Sequence, residues 1–143
     1  MNWDEIRKDI KREEGWSGTV YKDSLGYWTI GYGFLVDYRK NDKLPLSVAE
    51  TWLDYKIQEK VDGLDSVLPW WKTQPDEVQN ALLNMAYQMG VDGLAKFTTT
   101  LARLQAGDRK GAAESAMQSK WAKQTPARAK RVTDMIRGSN GPV

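Results

Sequence analysis

Two carboxylates nine positions apart, Glu14 and Asp23, form a pair suited to acid–base catalysis. The chain contains neither histidine nor cysteine. That excludes Ser-His-Asp and Cys-His catalysis, imidazole or thiolate metal sites and a histidine pH switch. Proton transfer is left to carboxylates, lysine, tyrosine or water. Glu14 falls in the last turn of a predicted helix, where the dipole's negative end and unpaired carbonyls disfavour a second negative charge. With Trp16 nearby, such a carboxyl can hold its proton to higher pH, as a general acid must. Asp23 opens a tight turn, a position where aspartate stays ionised. Two carboxyls pushed apart in pKa suit cleavage of a glycosidic bond. Spacing alone favours a plainer reading, in which Asp23 caps its turn and Glu14 ends a charged helix. No P-loop, G-x-S-x-G, S-x-x-K or EF-hand loop is present, and Gly31-x-Gly33 lacks the third glycine of a dinucleotide site.

The elements that must position these groups follow from periodicity. Trp3, Ile6 and Ile10 recur at helical spacing, predicting a helix over 2–14 that Gly15 stops. The period then changes to two. Residues 20–34 read as a hairpin around Asp23-Ser24-Leu25-Gly26, with Trp28, Ile30, Tyr32 and Phe34 on one face. Thr29, Gly31 and Gly33 leave the opposite face bare, open to close approach by another molecule. A capping-box pattern at Ser47 to Glu50, or else Pro45, starts a long helix over about 47–68, weakened locally at Gly63. Pro75 to Met89, closed by Gly90, is the central core helix. Shorter helices are predicted at 93–96, 98–106, 108–120 and 126–137. The expected fold class is α+β: a β-containing N-terminal lobe over about 1–46, a connecting helix, and a helical C-terminal lobe over about 69–143, all one domain. Trp70-Trp71 reads as an exposed aromatic patch.

With 143 residues, 41% hydrophobic and 28% charged, the composition is that of a globular chain able to bury a core. No signal peptide or membrane span is legible, so synthesis and initial residence in the cytoplasm are expected. Net charge is +2 but uneven. Residues 47–107 carry 5 basic and 8 acidic groups, whereas residues 108–143 carry 8 and 3. The basic third fits a polyanionic partner or simply a solvated helix face. A nucleic-acid module centred on 120–131 would leave Glu14, Asp23 and Thr29 unexplained, and no nucleic-acid partner is expected.

The stretch Glu14-Gly15-Trp16, then Tyr21-Lys22-Asp23-Ser24-x-Gly26-Tyr27-Trp28-Thr29-Ile30-Gly31-Tyr32-Gly33, closely resembles the active-site region of the phage lysozyme family, especially its T-even members. The resemblance resumes in Asn84 to Gly90, in Phe97-Thr98-x-x-Leu101, and from Trp121 to Val132. It covers residues 1–35 and 75–137, while 36–60 match poorly and look shortened. Phe34 stands where T-even members have a histidine that forms a structural ion pair.

The resemblance implies a lysozyme-like fold and a cofactor-free, metal-free glycoside hydrolase. The implied reaction cleaves, with inversion, the β-1,4 bond after N-acetylmuramic acid in peptidoglycan glycan strands. Glu14 would be the general acid, Asp23 would support the attacking water, and Thr29 would sit beside that water. Inversion requires the carboxyls to stand ~6.5–9.5 Å apart. Leu35 and Tyr87 would line the cleft, Tyr87 replacing the family's phenylalanine, and Gln88 would bond substrate. A partly buried helix aromatic accounts for Tyr87 equally well. Thr100 and Ser115 fall at polar sugar contacts but differ in type from the family's residues, so a structural role suits them better. Arg128 would face Glu14, and its charge would oppose the raised pKa argued above. A monomeric endolysin is expected, without a stable membrane anchor. It would wait in the host cytoplasm until a separate holin opens the route to the periplasmic wall. A lytic transglycosylase using Glu14 alone is the neighbouring alternative, and Asp23 and Thr29 at family spacing argue against it.

Overall fold

The Asn2 side chain accepts the Glu5 amide at 3.2 Å and so satisfies a donor that the first helical turn leaves free. In the computed structural model, which describes the backbone of residues 1–15, 17–22, 28–31, 34–35 and 46–138 and the side chains of 1–15 and 46–138, helix α1 then runs Trp3–Glu14. It buries Ile6 and Ile10 and ends at Gly15, whose φ of 69° few other residues adopt. Three short antiparallel strands follow: β1 (Ser17–Lys22), β2 (Trp28–Gly31) and β3 (Phe34–Leu35), in that spatial order. Thr29 in the central strand pairs with Tyr21 on one side and Leu35 on the other, and the β1–β2 register slips between Ser17 and Tyr21.

Helix α2 spans Leu46–Val67, which at 1.5 Å per residue is about 33 Å. Ser47 lies inside it rather than capping it, its carbonyl accepting the Thr51 hydroxyl at 3.0 Å. Pro45 lies outside the described residues. Ala49, Leu53, Ile57, Val61 and Leu64 form its buried stripe. Trp71, on the 3₁₀ turn Trp71–Thr73, is buried and donates its indole N–H to Asp65 Oδ1 at 2.7 Å. Trp70 is half-buried. The exposed Trp70-Trp71 patch is therefore corrected: the amphipathic Trp71 ring found a polar partner and went inside.

Helix α3 (Asp76–Ala95) is the core element. Val78, Ala81, Leu82, Leu83, Met85 and Ala86 are buried on it, and Gly90 at φ 81° breaks its axis where the sequence placed a stop. The last turn resumes beyond the kink. Helices α4 (Thr98–Gln105), α5 (Arg109–Met117), α6 (Lys120–Gln124) and α7 (Pro126–Arg137) follow; α7 packs directly against α3 and α5, α4 against α5, and α6 against α7. The helix predicted over 108–120 divides: α5 ends at Met117, and Ser119 caps α6 by accepting the Ala122 amide at 3.3 Å.

The α+β class is also corrected. Among residues 1–15 and 46–138 every regular element is helical, and the described hydrophobic core comes from helices and the turns joining them. The three described strands are only 6, 4 and 2 residues long. Among the described residues the protein is predominantly α-helical, with one small antiparallel sheet. A two-residue period reports a local backbone, whereas fold class depends on which elements make up most of the structure.

Candidate active site

Helix α1 delivers Glu13 and Glu14 together at its C-terminal end, and α7 meets them with Arg128 and Arg131 one turn apart. Arg131 grips Glu13 with two parallel bonds, Nε to Oε1 at 2.6 Å and Nη2 to Oε2 at 2.7 Å. Arg128 donates Nη1 to Glu14 Oε1 at 3.1 Å and Nε to Asn84 Oδ1 at 3.0 Å. Side-chain exposure is 22% for Glu14, 11% for Arg128 and 4% for Glu13.

These neighbours treat the two carboxyls differently. Burial pushes the Glu14 carboxyl above its ordinary range, and the nearby Glu13 charge adds to it. The charge and hydrogen bond of Arg128 oppose that rise without cancelling it. Burial thus wins the contest that the sequence left open. For Glu13 burial also acts upward, but the Arg131 hydrogen bonds and the charges of Arg131, Arg128 and Arg12 together bring it below the ordinary range. One carboxyl is kept ionised while its neighbour holds a proton to higher pH. The second can give up that proton to a leaving group.

Tyr87 on α3 lies within the field of Glu14. Burial, then the Glu14 charge, push its phenol well above the ordinary tyrosine range, so it remains a neutral O–H donor. Gln88 is engaged by protein: its Oε1 accepts the Trp121 indole N–H at 2.8 Å, and its Nε2 lies 3.5 Å from Thr125 Oγ1. Trp121 meets Phe97 edge-on with ring centroids 5.9 Å apart. Phe97, Thr100, Ser115 and Ser119 line one cavity of about 240 Å³. The structure thus brings Thr100 and Ser115 together, although Thr100 is almost wholly buried. Thr29 and Leu35 are described in backbone only, as paired residues of β2 and β3. Asp23 lies outside the described residues.

Sequence reasoning missed the Glu13–Arg131 pair and the part played by Asn84. The paired glutamates at a helix end, and arginines three residues apart on α7, were a legible signal for the first. For Asn84 the signal was its place at the head of the Asn84 to Gly90 stretch that carries the resemblance. Among the described residues no group of three or more carboxylates is arranged to hold a metal ion, and no helix is long and apolar enough to cross a membrane.

The model of the phage lysozyme family matches residues 11–137. Over 92% of its length the chain is 33% identical to the "Pre-baseplate central spike protein Gp5" of Enterobacteria phage T4, spanning 27% of that much longer protein. Two Dictyostelium discoideum proteins, "Probable T4-type lysozyme 1" and "Probable T4-type lysozyme 2", are 24% and 26% identical, with 92% of each chain covered. A family match across most of the chain, joined to a glutamate whose pKa burial raises at the end of α1, carries the conclusion: this protein belongs to the phage lysozyme family of glycoside hydrolases.

Proposed function

We propose that the chain is a muramidase hydrolysing the β-1,4 bond between N-acetylmuramic acid and N-acetylglucosamine in peptidoglycan. The observation that supports this most is the Glu14 carboxyl, anchored by Arg128 yet shifted towards its protonated form by burial. In this reading Glu14 protonates the leaving oxygen, Asp23 assists water, and Thr29 orients that water. Leu35, Tyr87 and Gln88 contribute to the substrate groove, and the cavity that Thr100 and Ser115 line serves packing. The enzyme serves host-cell lysis as a monomer, passing from the host cytoplasm to the wall through a separate holin's lesion.

Glu14→Gln is the deciding variant. It keeps size and hydrogen bonding but cannot supply the proton, so purified wall turnover drops by at least ~100-fold while the circular dichroism spectrum is unchanged. Full activity in that variant ends the reading. Mass spectrometry of the digest separates hydrolysis from transglycosylation, because 1,6-anhydro-muramic ends would contradict water as the acceptor. The likeness to a spike protein favours a second reading of the role, in which the same hydrolysis serves a spike assembly. Immunoblotting purified phage particles distinguishes them, since a lysis enzyme is absent from the particle.

A further inference from the structure

Arg128 stands between two carboxylates. Its Nη1 is 3.1 Å from Glu14 Oε1, and its Nε is 3.8 Å from Glu13 Oε2. Both carboxylates are thus within reach of the one guanidinium. The donors not used on Glu14 go elsewhere. Nε donates to Asn84 Oδ1 at 3.0 Å, and Nη2 reaches the Asn84 backbone oxygen at 3.5 Å. Both acceptors belong to one residue of α3 that is 1% exposed. A guanidinium is a rigid planar fork, so fixing Nε and Nη2 fixes where Nη1 points.

We propose that Asn84 is a positioning residue, committing Arg128 to Glu14 instead of letting it fold onto Glu13. A neutral amide suits the task. An aspartate would offer the same oxygen but take up the charge that Glu14 experiences. The amide sits there although its own Nδ2 is buried with no hydrogen-bond partner among the described residues, a cost that an apolar core residue would not carry.

The inference rests on the Glu14 reading, and its test is separable from that of Glu14→Gln because it includes a measurement that needs no turnover. The Glu14 carboxyl is titrated by carbon-13 NMR in the parent, Asn84→Ala and Asn84→Asp, and the pH profile of kcat/KM is recorded alongside. Groups facing Glu14 among the described residues are Arg128 from α7, Tyr87 from α3 and Glu13 on α1; none is altered in either variant. Withdrawing or sharing the Arg128 charge moves the Glu14 midpoint up by about one pH unit, and the alkaline limb of activity follows. Asn84→Ala also lowers kcat several-fold, since the carboxyl loses its anchor. Asn84→Asp preserves volume and the Oδ acceptor, and answers the question if the alanine variant does not fold. Lower thermal stability with the Glu14 midpoint at its parental position would overturn the proposal, because a purely structural role changes the amount of folded protein and not its titration.

Discussion

Replacing Gly63 by alanine sets two energies of opposite sign against each other. Gly63 lies inside α2, where exchange for alanine favours the helix by about 1 kcal/mol. Against that, a Cβ at Gly63 would stand 2.8 Å from Val91 Cγ2 on the segment of α3 beyond the Gly90 kink. Ordinary carbon contacts begin near 3.5 Å, so the two helices must part, or Val91 must shift, by more than half an ångström. Valine has one strongly preferred rotamer in a helix and cannot swing aside freely. Overpacking of this kind costs about 2 kcal/mol, leaving Gly63→Ala destabilised by about 1 kcal/mol and its Tm lower by about 3 °C. Val91→Ala in the same background removes the obstructing methyl groups. The double variant is therefore more stable than the sum of the singles by at least ~1 kcal/mol in a urea-denaturation cycle. If Gly63→Ala instead raises Tm, helix propensity dominates and the close approach is not what excludes a side chain.

Arg131→Ala removes the twin bonds to Glu13 and costs about 1 kcal/mol at neutral pH, a value discounted for the exposure of Arg131. Because the folded Glu13 pKa is depressed, that stability is present above the ordinary glutamate pKa and lost as pH falls through the folded value; parent and variant denaturation curves should converge in acid. An undiminished difference at low pH would exclude the pairing as its cause. Asn80→Ala strips buried Asp9 of a 2.6 Å hydrogen bond and should cost about 2 kcal/mol, with Asp9→Ala/Asn80→Ala costing less than the two singles together. Additivity in that cycle would show the contact to be energetically silent. Leu82→Ala, at a fully buried position of α3, should lower unfolding free energy by about 3 kcal/mol, and a loss below ~1 kcal/mol would mean the site collapses around the missing atoms.

Most helix boundaries were legible in the sequence, because they depend on interactions within a few residues. Asn2 caps α1, and glycines end or break α1, α3 and α7 at positions 15, 90 and 138. The sequence also bounded the available chemistry: without histidine or cysteine, proton transfer fell to carboxylates, lysine, tyrosine or water, with Glu14 at a helix end among the candidates. The alternating pattern over 20–34 marked real strands but ran the second one on to Phe34, which lies instead in β3, paired antiparallel with Ile30 of β2. Gly63 read as a local weakness, and only the approach of Val91 gave it a reason. The direction of the Glu14 shift lay furthest beyond the sequence's reach. It depends on how deeply the carboxyl is buried and how near Arg128 comes, a residue 114 positions away, and both terms change steeply over distances that only packed helices fix.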